Sequence, residues 1–187
     1  WSRVRQTLAV AAYNVDKPGR HYFDAETRRM FERLEQKLPG NSLVLQSATL
    51  AEDKYIVAAF NDRTQGARYL YDAKADSLSL LGEISPWLAP KQMAAMQPIR
   101  YTARDGLQIP GYLTLPVGRE AKNLPCVINP HGGPWARDNW GFNPEVQFLA
   151  NRGYCVLQMN FRGSTGFGRA FWEASFKQWG LAMQDDV

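Results

Sequence analysis

Residues 8–24, LAVAAYNVDKPGRHYFD, and residues 55–71, YIVAAFNDRTQGARYLY, carry one pattern twice. At an offset of 47 residues, Val10 and Val57, Ala11 and Ala58, Ala12 and Ala59, Asn14 and Asn61, Gly19 and Gly66, and Tyr22 and Tyr69 are identical. Tyr13 and Phe60, and Phe23 and Leu70, are similar in kind. Each copy reads as an apolar strand, a polar turn with glycine and an aromatic strand, with a further turn and strand candidate after it. A repeat of about 40–50 residues with several short strands per unit is the sequence signature of a β-propeller. Two unrelated hairpins are the plainer alternative, and the register kept across the turn argues against them. Two copies do not close a ring that takes about 4–8 blades, so the expectation is a partial β-propeller of about two blades.

One segment breaks the pattern. In Asp24–Leu38, DAETRRMFERLEQKL, the apolar Met30, Phe31, Leu34 and Leu38 have helical spacing, and Pro39-Gly40 ends the run. It reads as a helical insertion, with strands imposed by tertiary context as the alternative. Prolines 86, 90 and 98 then punctuate a boundary near 83–97. The expected domains are 1–90, the partial propeller, and 91–187.

The second part has another texture. Ile99–Thr102, Asp105-Gly106 and Ile109–Leu115 read as a hairpin. Cys126–Ile128 and Tyr154–Met159 read as short apolar strands buried on both faces of a parallel sheet. Pro144–Arg152 and Arg169–Trp179 read as helices, the first burying Val146, Phe148, Leu149 and Ala150. Strand, loop, helix, strand, loop, helix is a βαβα unit. The six tryptophans are expected to pack in cores. The net charge is only +4 with no Lys/Arg block, which disfavours a nucleic-acid groove. No run of 18 apolar residues could span a membrane. Cys126 and Cys155 lie in apolar runs and read as buried thiols, neither a disulfide framework nor a zinc site, and two histidines far apart leave no metal cluster.

The chemistry concentrates in two glycine loops. His131-Gly132-Gly133-Pro134 follows the strand that ends at Asn129, the oxyanion-hole arrangement of α/β-hydrolases. Acyl transfer builds negative charge on one oxygen, and backbone N–H groups aimed at that point stabilise it. Glycine lets substrate approach the backbone and allows positive φ. An ordinary Gly-Gly-Pro turn with a solvent-facing histidine is the competing reading. The second loop, NFRGSTGFG at 160–168, follows the next strand; it is neither a dinucleotide fingerprint nor a P-loop.

HGGPWARD at 131–138 and NFRGSTGFG at 160–168, separated by a helix and a strand, resemble the prolyl oligopeptidase family of serine peptidases, nearest its acylaminoacyl-peptidase and dipeptidyl-peptidase branch. The resemblance is strong over 98–187 and architectural over 1–90. It implies a propeller followed by an α/β-hydrolase domain, with residues 91–187 the N-terminal part of that domain. It implies hydrolysis of short peptides and no metal or organic cofactor. Gly133 would supply an oxyanion donor, with Gly132 shaping the turn. His131 stands where some branches carry a tyrosine whose hydroxyl helps the oxyanion. Arg162, Gly163 and Ser164 would line the site, with Arg162 pairing structurally to a carboxylate or carbonyls.

The family's nucleophile sits in G-x-S-x-G, and none of the eight serines lies in that setting. The expectation is an internal fragment without Met at its start, with nucleophile, acid and base beyond Val187 and no activity alone. Its partners would be the remaining propeller and hydrolase segments, with a homo-oligomer left open. His21 reads as a surface residue, and Asp185 and Asp186 as a solvated helix face. The compartment, cytoplasmic or periplasmic for a soluble chain, stays open. A non-catalytic propeller-type binding module with a hydrolase-like remnant is the alternative function, and an esterase a third.

Overall fold

The computed structural model describes all 187 residues, in two compact units: residues 1–13 with 18–90, and residues 14–17 with 91–187. No helix is long and apolar enough to cross a membrane.

The first unit begins with a hairpin, β1 (Val10–Asn14) and β2 (Pro18–Tyr22). Helix α1 follows at Ala25–Lys37. Asp24 caps it, its Oδ2 accepting from the Thr27 amide at 2.7 Å, and Glu26 and Lys37 lie at the ends the helix dipole favours. Local propensity and the apolar stripe therefore agree, and the helical reading of 24–38 holds. A four-stranded antiparallel meander comes next, in the order β3 (Ser42–Ala48), β4 (Lys54–Asn61), β5 (Thr64–Asp72) and β6 (Ser77–Glu83). Met30, Phe31 and Leu34 of α1 share one core with Leu43, Tyr55, Val57 and Tyr71 of the sheet. Leu34, Leu43, Val57 and Tyr71 are fully buried.

The repeat maps onto structure as one hairpin against another. Val10 and Val57 lie in β1 and β4, and Tyr22 and Tyr69 in β2 and β5. Gly66 shows why its position excludes a side chain: its φ is +93°, and a Cβ would lie 2.0 Å from the Ala59 carbonyl oxygen. The two copies are nonetheless unequal. The second is the centre of a four-stranded sheet, while the first stays a two-stranded ribbon because the segment after it folds as α1.

The second unit is built on a sheet in the order β7 (Met96–Thr102), β8 (Gln108–Thr114), β10 (Cys155–Met159), β9 (Cys126–Ile128). β7, β8 and β10 run antiparallel in sequence of pairing, and β10 and β9 are parallel. Helix α2 (Pro144–Asn151) joins β9 to β10; Asn143 caps it and Pro144 occupies its first turn. Its buried residues are Val146, Gln147 and Ala150, and Phe148 is exposed, contrary to the apolar face read from sequence. Gln147 is buried because its amide exchanges two 2.8 Å hydrogen bonds with the backbone of Ala94.

Three further expectations are corrected. β9 is an edge strand here, so Cys126 and Ile128 are exposed instead of covered on both faces. The two cysteines are not free thiols: the parallel register sets Cys126 opposite Cys155, with Cα atoms 4.5 Å apart, and they form a disulfide. The helix read over 169–179 is regular only in α3 (Arg169–Glu173), after which turns lead through Lys177, at φ +58°, to α4 (Ala182–Asp185).

Candidate active site

The two glycine loops, 30 residues apart in sequence, meet at the ends of neighbouring parallel strands. Several bonds interlock them. The Thr165 amide donates to the Ala136 carbonyl at 2.9 Å. Asn160, fully buried, accepts from the Asp138 amide at 2.8 Å and donates to the Asp138 carbonyl at 3.2 Å. The Arg137 guanidinium lies over the Phe167 ring, 4.4 Å from its centroid. These contacts pair the Thr165 amide and the Ala136 and Asp138 backbone groups across the two loops.

The turn itself is shaped by Gly133. Its φ is +135°, and a Cβ there would lie 2.8 Å from the Trp135 amide nitrogen, so only glycine fits without moving backbone. The Gly132 and Gly133 N–H groups donate to no protein acceptor. Gly133 opens onto a cavity of about 430 Å³, walled by His131, Pro134, Phe161, Trp179 and Met183.

His131 is engaged at both ring nitrogens: Nε2 is 2.8 Å from Ser164 Oγ, and Nδ1 is 2.8 Å from the Gly132 carbonyl oxygen. The ring stacks on Phe161, with centroids 4.4 Å apart. A Ser–His contact of this length looks like a nucleophile and its base. Ser164 is, however, fully buried, and its hydroxyl donates to the Phe161 carbonyl at 2.7 Å.

Arg162 points away from the cavity. Its Nε and Nη2 donate to both Asp186 carboxylate oxygens at 2.8 Å, and Nη1 and Nη2 reach Asp105 at 2.7 and 3.0 Å. These carboxylates raise the guanidinium pKa further, and Arg162 in turn holds the Asp105 carboxyl below the usual range. Tyr101 donates its hydroxyl to the Asp186 carbonyl; burial, then the Asp186 charge, push that phenol up to about 12. Asp186 is therefore no solvated helix face: its carboxylate has no exposure, because Arg162 supplies its countercharge. Asp185 is half exposed and pairs with Arg104. Gly163 packs on Ser175, where a Cβ would lie 2.6 Å from that side chain's Cβ.

Asp138 was not visible as a special residue in sequence. It is half-buried, its Oδ1 accepting from Gln158 Nε2 at 2.8 Å while its buried Oδ2 and Gln158 Oε1 have no partner. Burial pushes its carboxyl above the usual range, against the opposing pull of His131, Gln158 and Arg137.

The tryptophans are mostly at the surface. Trp140 is buried, donating to the Met96 carbonyl at 2.9 Å. Trp135 and Trp179 are exposed and form an aromatic cluster with Trp172 and Phe176. His21 is exposed against Phe23. No group of three or more His, Cys, Asp or Glu side chains is arranged to hold a metal ion.

Residues 140–187 match the prolyl oligopeptidase family. Dipeptidyl aminopeptidase BIII of Pseudoxanthomonas mexicana is 39% identical over 171 residues, covering 88% of this chain and 25% of that protein. A puromycin hydrolase crystal structure is similar with a TM-score of 0.58 at 27% identity, over 72% of this chain and 21% of that one. The acylaminoacyl peptidase of Pyrococcus horikoshii, at 24% identity and a TM-score of 0.58 over 73% of this chain and 22% of that one, shares the fold. The chain spans about a quarter of the length of the curated relative.

Proposed function

The chain belongs to the prolyl oligopeptidase family, and from that premise we propose that it is part of a serine peptidase that hydrolyses short peptides through an acyl-enzyme. In this reading residues 91–187 are the N-terminal part of an α/β-hydrolase catalytic domain, and residues 1–90 are part of a β-propeller. The meander β3–β6 supports the propeller as one four-stranded blade, with β1–β2 contributing to another.

The observation that carries the catalytic reading is Gly133: a backbone N–H without a protein acceptor, at positive φ, on the wall of an apolar cavity. A serine hydroxyl attacking a peptide carbonyl passes its proton to a general base and leaves negative charge on the carbonyl oxygen. Gly133 N–H would meet that oxygen, beside a second donor from the residue after the nucleophile. In this reading Ser164 and His131 are neither nucleophile nor base, and those residues would lie in chain outside these 187 residues.

The test is intact mass after treatment with a fluorophosphonate, on the 187-residue chain and on the full-length protein. The expected result is one phosphonyl adduct on the full-length protein and none on the 187-residue chain. An adduct on this chain refutes the placement of the nucleophile. No adduct on either favours a binding module that has lost its triad.

A further inference from the structure

Ser164 is fully buried and does not line the cavity, yet it touches the residue that does. Its hydroxyl hydrogen is committed to the Phe161 carbonyl at 2.7 Å, and its amide donates to the same carbonyl at 3.0 Å. The same Oγ lies 2.8 Å from His131 Nε2, so one hydroxyl links the imidazole to the Phe161 backbone. The imidazole is clamped in plane by Phe161, 16° from parallel, and along its edge by Ser164. His131 directly precedes the Gly132–Gly133 turn, and the remaining strand on that side, β9, is a three-residue edge strand that holds the turn weakly by itself.

We infer that Ser164 is a positioning residue: through its hydrogen bond to the His131 imidazole it fixes the Gly132–Gly133 turn at the end of β9 so that the Gly133 N–H stays aimed into the cavity. This rests on the proposed hydrolase reading for its catalytic consequence and on geometry alone for the latch. Preorganised donors act on the transition state more than on bound substrate. Loosening the turn should therefore lower kcat and leave KM nearly unchanged, whereas a loss confined to folding changes the active fraction alone.

The variants are Ser164→Ala, which removes the hydroxyl, His131→Phe, which keeps a ring to stack on Phe161 and removes the ring nitrogens, and the double variant, all in the full-length protein. Turnover is normalised to fluorophosphonate-titrated sites, and hydrogen exchange is followed in a peptide spanning 129–137. Each single variant is expected to lose about tenfold in kcat with KM within about twofold, the weight of one buried hydrogen bond. The double variant is expected to lose no more than either single one, because the two groups act through one bond. Exchange in 129–137 should accelerate in all three. Unchanged exchange in Ser164→Ala overturns the latch whatever the protein's activity. Faster exchange with unchanged kcat overturns the positioning role, as does strict additivity in the double variant. Loss of phosphonyl labelling in Ser164→Ala with wild-type folding overturns it too, by making Ser164 the nucleophile. A wild-type protein without turnover, in which Ser164→Ala still accelerates exchange, refutes the hydrolase reading and supports the latch.

Discussion

Removing the Arg162 guanidinium should open the loop that follows β10, and the size of the effect follows from which partner is left behind. The Arg162 side chain is 8% exposed and the Asp186 side chain 0%, while the Asp105 side chain is 52% exposed. In Arg162→Met the aliphatic stem remains, but the Asp186 carboxylate keeps only the Arg162 amide at 2.9 Å and loses its countercharge. A buried charge stranded in this way costs about 3–5 kcal/mol. If opening of the loop exposes that carboxylate, exchange of the amides in 160–165 should accelerate about a hundred- to several-thousandfold. Native-state hydrogen exchange on the full-length protein reads this directly. Asp105→Asn should have a far smaller effect, because water already solvates half of that side chain. The double variant Arg162→Met, Asp186→Leu should recover most of the protection, since an apolar pair of similar volume is often as stable as the buried ion pair it replaces. A double variant as labile as Arg162→Met would refute the stranded-charge reasoning. An Asp105→Asn effect equal to that of Arg162→Met would refute the ranking by exposure.

Other perturbations have equally definite outcomes. Gly133→Ala, strained at φ +135° and 2.8 Å from the Trp135 nitrogen, should fold yet lose peptidase kcat by about a hundred- to a thousandfold, read by steady-state kinetics. Leu34→Ala, at a site with no exposure beneath the β3–β6 sheet, should destabilise by about 2–5 kcal/mol in urea unfolding. Leu80→Ala, at an exposed position on β6, should stay within about 0.5 kcal/mol. Asp138 carries a pKa raised by burial, so the folded protein holds its proton more tightly than the unfolded chain. Its contribution is fully present below the unfolded value of about 3.9 and is lost as pH rises through the folded value. Asp138→Asn should therefore remove that pH-dependent loss from the urea midpoint, and an unchanged pH dependence would contradict a carboxyl raised by burial.

The sequence reading succeeded where one local rule sufficed. Asp24 as cap, the Met30–Phe31–Leu34 stripe and Pro39-Gly40 all point to one helix, and α1 lies between them. Gly133 was legible as a glycine-requiring turn, and its φ is +135°, whereas Gly66, read as part of a turn, lies inside β5 against the Ala59 carbonyl. The failures have a common cause: they depended on which element came to lie opposite. Asp186 reads as solvated until Arg162 arrives from 24 residues upstream. Cys126 and Cys155 read as separate thiols until the β9–β10 register sets them side by side. Phe148 reads as core, but Gln147 takes the inward place because Ala94 offers it two backbone partners. The role of Ser164 was hidden for the same reason, since its partner His131 lies 33 residues away in another loop.

The central claim is that Gly133 N–H is an oxyanion donor. A crystal structure of the full-length protein with a peptide boronate or chloromethyl ketone bound at its nucleophile tests it most directly. The account predicts the tetrahedral oxygen about 2.7–3.1 Å from the Gly133 nitrogen, in the cavity beside His131. An oxygen held by other donors, with Gly133 N–H out of hydrogen-bonding reach, would contradict it.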